Sequence, residues 1–324
     1  MTHRSFVPLV ENGWKGSFSL RLTEQPLGTA VTDDIEQLSE LAAMATYVVS
    51  VSAIVLELVW LRLTGTTVDH QEGRASVFSG LLAFGGLGLA NRFFFIGLMH
   101  VFWSVRLMDW GTSWLGFLLV FILYDFMFYV GHVAGHRIRL FWCFHSVHHT
   151  SEEMRLTTAI RGSMFDFVYL PWFFVWIPLL GFHPALVLVV EAIGRLWGVM
   201  VHAHPSLVGR LGWLDLLLVT PSVHRVHHGR NSAYIDRNYG EVLLLWDHLF
   251  GSHTREEEEP DYGILGTVDS KSLREIQVSP WKSLVGDLRR SGSLQERCHH
   301  LFAAPGTPFQ PKKTVSKTMS SSPG

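Results

Sequence analysis

The sequence predicts an all-α integral membrane protein with about four to five transmembrane or re-entrant helices. Three observations predict it. The chain is 48% hydrophobic and only 17% charged, where soluble domains carry about 25% charged residues, and its mean hydropathy is +0.23. Its apolar residues gather into several runs close to the ~20 residues that cross a bilayer as a helix. Its histidines, 18 in 324 residues, recur at the i, i+3 and i+4 spacings that share one helix face.

Residues 1–40 are mixed, end on Asp33, Asp34, Glu36 and Glu40, and read as a soluble arm without a cleavable signal pattern. The first run, "LAAMATYVVSVSAIVLELVWL" (41–61), has the length of a span and one charge, Glu57, near its end. The second, Ala75 to Val105, is interrupted by Asn91 and Arg92 and suits either one tilted span or two half-spans of a re-entrant hairpin. The third, Ser113–Val130, contains Asp125. A fourth and a fifth lie in Phe165–Val201, broken by "PLLGFHP" (178–184). Proline and glycine there predict a tight turn in a helical hairpin that dips through the membrane and returns.

Arg137, Arg139, Arg155, Arg161, Arg210, Arg225 and Arg230 accompany the histidine-bearing segments, whereas 178–184 carries no charge. The positive-inside bias then puts the histidines on the cytoplasmic side, of a bacterial inner membrane or an endoplasmic reticulum. Beyond residue 252 the apolar character ends. "TREEEEPD" (254–261) reads as a solvated acidic loop and 310–324 as a disordered tail.

Eleven histidines fall between His132 and His228. They form "HVAGH" (His132, His136), "HSVHH" (His145, His148, His149) and "HRVHH" (His224, His227, His228), with His202 and His204 in "VHAHP". Residues at i, i+3 and i+4 on a helix lie about 5–6 Å apart, so each box aims its imidazoles one way. If the hairpin returns the chain to its starting side, all three boxes converge. One ion cannot use so many imidazoles, since zinc takes four ligands at most in structural sites. Two six-coordinate ions can, with positions left for water or dioxygen. Iron suits such a dinuclear site because it can activate dioxygen and zinc cannot. A ligating histidine needs a partner for its other N–H, and Asp125, Asn231, Asp236 and Asn238 are the candidates. Asp125 stands seven residues before His132, two turns away on one face. His183, His100, His299 and His300 stand apart from the boxes and read as structural or inert.

The ordered set "DFMFYVGHVAGH", "FHSVHH", "VHAHP" and "HRVHHGRNSAYIDRNYGEVLLLWDHLFGS" resembles the fatty acid hydroxylase superfamily, in particular its sterol desaturase branch. The resemblance covers residues 75–253, and "LFAAPGTPF" (301–309) is similar to that family's C-terminal Pro-Gly segment. It implies a membrane domain under a cytosolic helical cap that carries a dinuclear iron site. It also implies oxidation of a lipid C–H bond, by hydroxylation or desaturation, with dioxygen and NAD(P)H-derived electrons from a separate reductase or small electron carrier. The ligands it implies are His132, His136, His145, His148, His149, His224, His227 and His228, joined by His202. His204, where the family often has Asn, is a further candidate ligand, and His248 stands where the family commonly has Arg. The domains expected are the arm 1–40, a membrane and histidine-box catalytic domain 41–253, a C-terminal cytosolic segment 254–309 and the tail 310–324.

A histidine-rich metal-binding or metal-transport membrane protein is the competing class. A transporter would line its spans with histidine near the midplane, whereas these boxes follow the apolar runs. A net charge of −2 gives no case for nucleic acid. The two cysteines, Cys143 and Cys298, match no zinc ribbon and read as free thiols.

Overall fold

The computed structural model describes residues 27–310, the side chains of 27–34, 86 and 87 aside. The expectations for residues 1–26 and 311–324 lie outside the described residues. The described chain is helical, with two isolated β-bridges, Leu218 to Leu243 and Gly229 to Tyr262, in place of strands.

Helix α1 (Leu27–Leu63) begins inside the segment expected to be an arm. No proline interrupts residues 27–40, so the helix simply extends the apolar run backwards. From Ile35 to Leu63 it is long and apolar enough to cross a membrane, and only 6% of its most apolar stretch is buried in protein. Helices α2 (His70–Phe84) and α3 (Gly86–Ser104) form the second run and meet at a 44° bend. Asp69 caps α2 through the amides of Gln71 and Glu72. The interruption at Arg92 is an ion pair, because Arg92 reaches Glu191 at 3.0 Å and Glu191 also holds Arg195 at 2.7 Å. Helix α4 (Trp114–Arg137) is the second clear span, and with the bent pair counted as one there are three among the described residues. The protein is an integral membrane protein.

The expected helical hairpin over Phe165–Val201 is half right. Its return limb is helix α7 (Pro184–Met200). Its first limb is a series of 3-10 turns, Asp166–Val168, Leu170–Phe173 and Ile177–Leu180. Pro171 and Pro178 remove amide donors that an α-helix would need, and each opens a new short turn instead. Gly181 (φ 96°) closes the predicted turn, where a Cβ would stand 2.2 Å from the Met108 carbonyl oxygen. Hydrogen bonds from Leu107 to Leu179 and from Trp110 to Gly181 tie this turn to the start of α4. The turn therefore lies at the end of α4 opposite the histidines. Phe95, Met99, Val120, Tyr124, Phe174, Ile177, Leu186 and Val190 fill the core between α3, α4, the 3-10 limb and α7.

The histidine side is built from short elements: α5 (Arg139–His149), α6 (Leu156–Ala159), α8 (Pro221–His228) and α9 (Leu245–Phe250). Helices α10 (Leu273–Arg290) and α11 (Leu294–Phe302) lie against α5. Gln277 of α10 donates to Ser79 and Gly162, and Arg139 of α5 pairs with Asp287. Several arginines that read as loop charges are clamps. Arg161 is buried against Glu72 at 2.9 Å, and Arg225 holds Glu256 with two bonds of 2.7 Å. Part of the acidic run, expected to be fully solvated, is thereby strapped across α8, while Glu257, Glu258 and Glu259 stay exposed.

Candidate metal centre

The boxes are helical, as their spacing predicts, on α4, α5 and α8, and they converge. Two groups of imidazoles result. His132, His136, His145, His149 and His227 form one; His148, His202, His224 and His228 form the other. Within each group the ligand nitrogens all lie within 4.8 Å of one another. Consecutive helical residues point about 100° apart, so His148 and His149 diverge into different groups, as do His227 and His228. Helix α5 gives two imidazoles to the first group and one to the second; α8 does the reverse.

Seven Nε2···Nε2 separations fall between 3.0 and 3.2 Å. They are not all hydrogen bonds. The Nδ1–H of His148 donates to the Arg161 carbonyl at 3.1 Å, and that of His202 to the Gly198 carbonyl at 2.6 Å. A carbonyl only accepts, so in each neutral ring the Nε2 carries a bare lone pair, and those two lone pairs face each other at 3.1 Å. Two lone pairs at that distance call for a cation between them. Metal–nitrogen bonds of about 2.1 Å at right angles put neighbouring nitrogens about 3.0 Å apart, against about 3.4 Å for a tetrahedron. The spacing fits octahedral edges. In the first group the buried Nε2 of His136 has no hydrogen-bond partner, as befits a ligand atom.

The rings are held neutral. Burial, reinforced by neighbouring imidazoles, pushes His145, His149, His202, His224, His227 and His228 well below the ordinary histidine range. Burial brings His148 to about 4. A neutral imidazole is the form that binds metal.

Their orientation comes mainly from backbone carbonyls. The Nδ1–H of His132 donates to the carbonyl of Tyr239 and that of His227 to the carbonyl of Arg237, both at 2.8 Å. These carbonyls alternate with two left-handed residues, Asp236 (φ 61°) and Asn238 (φ 55°). Asp and Asn tolerate that region best after Gly. The loop is anchored in turn: Asp247 accepts from the amides of Tyr239 and Gly240, and buried Asn238 joins the Val223 and Thr254 carbonyls. On the second group's side, buried Glu57 of α1 accepts from the Leu156 amide at 2.7 Å and the His204 amide at 2.8 Å. It thereby fixes the chain two residues after His202, and also holds Leu156, seven residues after His149.

Of the expected partner residues, Asp236 alone reaches a box histidine, its carboxylate lying 3.6 Å from His136 Nδ1 and 3.3 Å from Arg137. The others are corrections. Asp125 accepts from the Val242 amide and the Trp246 indole; seven helical residues are about 10.5 Å of rise, too far for its carboxylate to reach His132. Asn231 ties Glu258, Glu259 and Asp261 together. Asn238 works through its backbone conformation and the loop contacts above. His204 joins neither group, and its Nδ1 meets Ser206 at 2.8 Å. His183, read as structural, caps α7 through the Ala185 amide. The supports absent from the sequence reading are carbonyls, of Tyr239, Arg237, Arg161 and Gly198, which no side chain announces. Glu57 did carry a signal, as a lone carboxylate in an apolar run.

Fold and site define a membrane-embedded helical protein with two adjoining, all-imidazole groups that could each hold a metal ion. Residues 117–252 match the family model described as fatty acid hydroxylase. An alkylglycerol monooxygenase of Xenopus tropicalis is 27% identical over 85% of this chain and 60% of its own length. An ornithine lipid hydroxylase of Rhizobium tropici is 28% identical over 58% of the chain and 59% of its own length. A Delta(7)-sterol 5(6)-desaturase of Gibberella zeae is 23% identical over 58% of each. Over these spans the chain is similar to fatty acid hydroxylases and sterol desaturases. It spans 60% of the length of the Xenopus relative. No solved structure matches it.

Proposed function

We propose that this chain is a di-iron oxygenase that hydroxylates a C–H bond of a membrane lipid, with an alkylglycerol as the substrate to try first. The observation that supports it is the pairing of bare Nε2 lone pairs at 3.1 Å within two adjoining imidazole groups. The five-histidine group and the four-histidine group would hold one iron each. Imidazole suits iron, and six-coordinate ions would keep positions free for dioxygen. The irons, when bound, supply the redox chemistry that joins dioxygen to a C–H bond. The balance is R–H + O2 + two electrons + two protons → R–OH + H2O, with the electrons from a separate reductase or small carrier.

The protein's share is orientation and exclusion of water. Carbonyls of Arg237, Tyr239, Arg161 and Gly198 keep the protons on Nδ1. Helices α10 and α11 cover α5. The alkylglycerol assignment comes from the length of the match to the monooxygenase named for it. The centre faces the cytoplasm in this reading, and exposed Cys298, on α11 beside α5, reports it: it should label from the cytoplasmic side only, and Thr112→Cys, at the other end of α4, from the opposite side only.

The decisive experiment supplies purified, iron-loaded protein with an alkylglycerol, reductant and isotope-labelled dioxygen. The expected product carries one labelled oxygen atom. Protein with both irons bound that consumes no dioxygen with any lipid of a broad panel refutes the proposal.

A further inference from the structure

A cavity of about 650 Å³ lies between α1 and α7 at the histidine end of the molecule. That is within the roughly 300–1,000 Å³ of small-molecule sites. Along α1 its wall is Ala53, Leu56, Glu57, Trp60 and Leu63, one helix face followed for about 15 Å. The cavity is therefore a slot. Opposite are Trp197, Met200 and Leu207. Its inner wall includes Val201 and Ala203, which bracket His202, and Thr220 and Pro221, which start the helix carrying His224 and His228. The slot thus backs onto the four-histidine group.

Its polar atoms are already engaged. Both carboxylate oxygens of Glu57 take backbone amides. Thr220 donates to Asp215, and the Trp197 indole to the Val219 carbonyl. These groups leave a ligand little to hydrogen-bond, so the wall selects hydrocarbon. Its rim is α1 itself, where Leu56 is 68% and Leu63 80% exposed, on a helix long and apolar enough to cross a membrane. Apolar side chains so exposed belong in lipid rather than water.

We infer that this slot receives the single extended hydrocarbon chain of a bilayer lipid, entering sideways past α1, and lays it beside the four-histidine group. The inference rests on the proposed function for the identity of that lipid as substrate, and on geometry alone for the slot.

The test is photo-crosslinking in phospholipid nanodiscs with a diazirine-bearing long-chain alcohol, read by peptide mass spectrometry beside metal analysis. Label at Trp60, Met200 and Leu207 should exceed label at Leu41 and Met44, lipid-facing positions of the same helix, by about tenfold. Filling the slot with Ala53→Trp should cut the slot label by a similar factor while metal content stays unchanged. Leu207→Trp, in the opposite wall, makes the same test if the α1 variant folds poorly. Even labelling along α1, slot label that survives filling, or equal labelling by a diazirine sterol overturns the inference. The two proposals fail separately: an active enzyme without slot label removes the slot alone, and slot label in a metal-loaded protein that oxidises no lipid removes the oxygenase reading alone.

Discussion

The two imidazole groups look like copies and are not. Helices α5 and α8 supply both, exchanging one histidine each, so their shares cancel to three and three. The difference is the third contributor. The first group draws His132 and His136 from α4, a membrane span; the second draws only His202, from the turn after α7. Five ligands would leave a six-coordinate ion one position, and four would leave two. The more open group also backs onto the apolar slot, and the segment carrying its His202 is held by Glu57 through the His204 amide. With an ion in each group, a nearly symmetric scaffold would carry one group close to saturation and one with room for further ligands.

That asymmetry can be broken most directly by ligand removal. His202→Ala leaves three imidazoles in the second group, whereas His136→Ala leaves four in the first, as many as a full structural zinc site uses. Elemental analysis should find the metal content of His202→Ala falling from about two per chain to about one, and that of His136→Ala staying near two. Turnover should fall at least 10–100-fold in both, since even outer partners of ligands have effects of that size. Equal metal loss from the two variants would mean that the groups are equivalent.

A smaller effect comes from Glu57→Ala, which leaves two buried amides unpaired at about 1–3 kcal/mol each. The melting temperature should drop, and metal should leave the second group before the first. Glu57→Gln, which keeps one acceptor oxygen, should fall between. Loss of both metals together would show that α1 braces the whole centre. The smallest change is Asp236→Asn. Asn keeps the left-handed backbone and gives up only the charge beside His136. Metal content should hold near two while turnover drops by roughly 10-fold or less. A drop as deep as that of His136→Ala would make the carboxylate part of the chemistry.

Much of this was readable from residue spacing. HxxxH and HxxHH required helices, and α4, α5 and α8 are helices. The tight turn at 178–184 is where proline and glycine put it. What spacing could not tell was which of two adjacent histidines serves which group, because that depends on how α5 and α8 are rotated against each other. The 3-10 limb was hidden for a related reason: hydropathy measures apolar length and ignores the amides that Pro171 and Pro178 lack. Asp125 shares a helix face with His132 without touching it, because seven residues of rise separate the two side chains. The carbonyl supports were invisible in principle, since every residue has one.

The loop from Asp236 to Gly240 has a consequence for how the imidazole groups would take up metal ions. Its shape is set by Asp247, Asn238 and two left-handed residues, none of which needs an ion. His132 and His227 are therefore aimed before any ion arrives, so loading incurs little ordering entropy. Stripping the centre with a chelator should then be a reversible exchange in a folded protein. In that respect the chain is the opposite of a zinc finger, whose fold exists only while the ion is present.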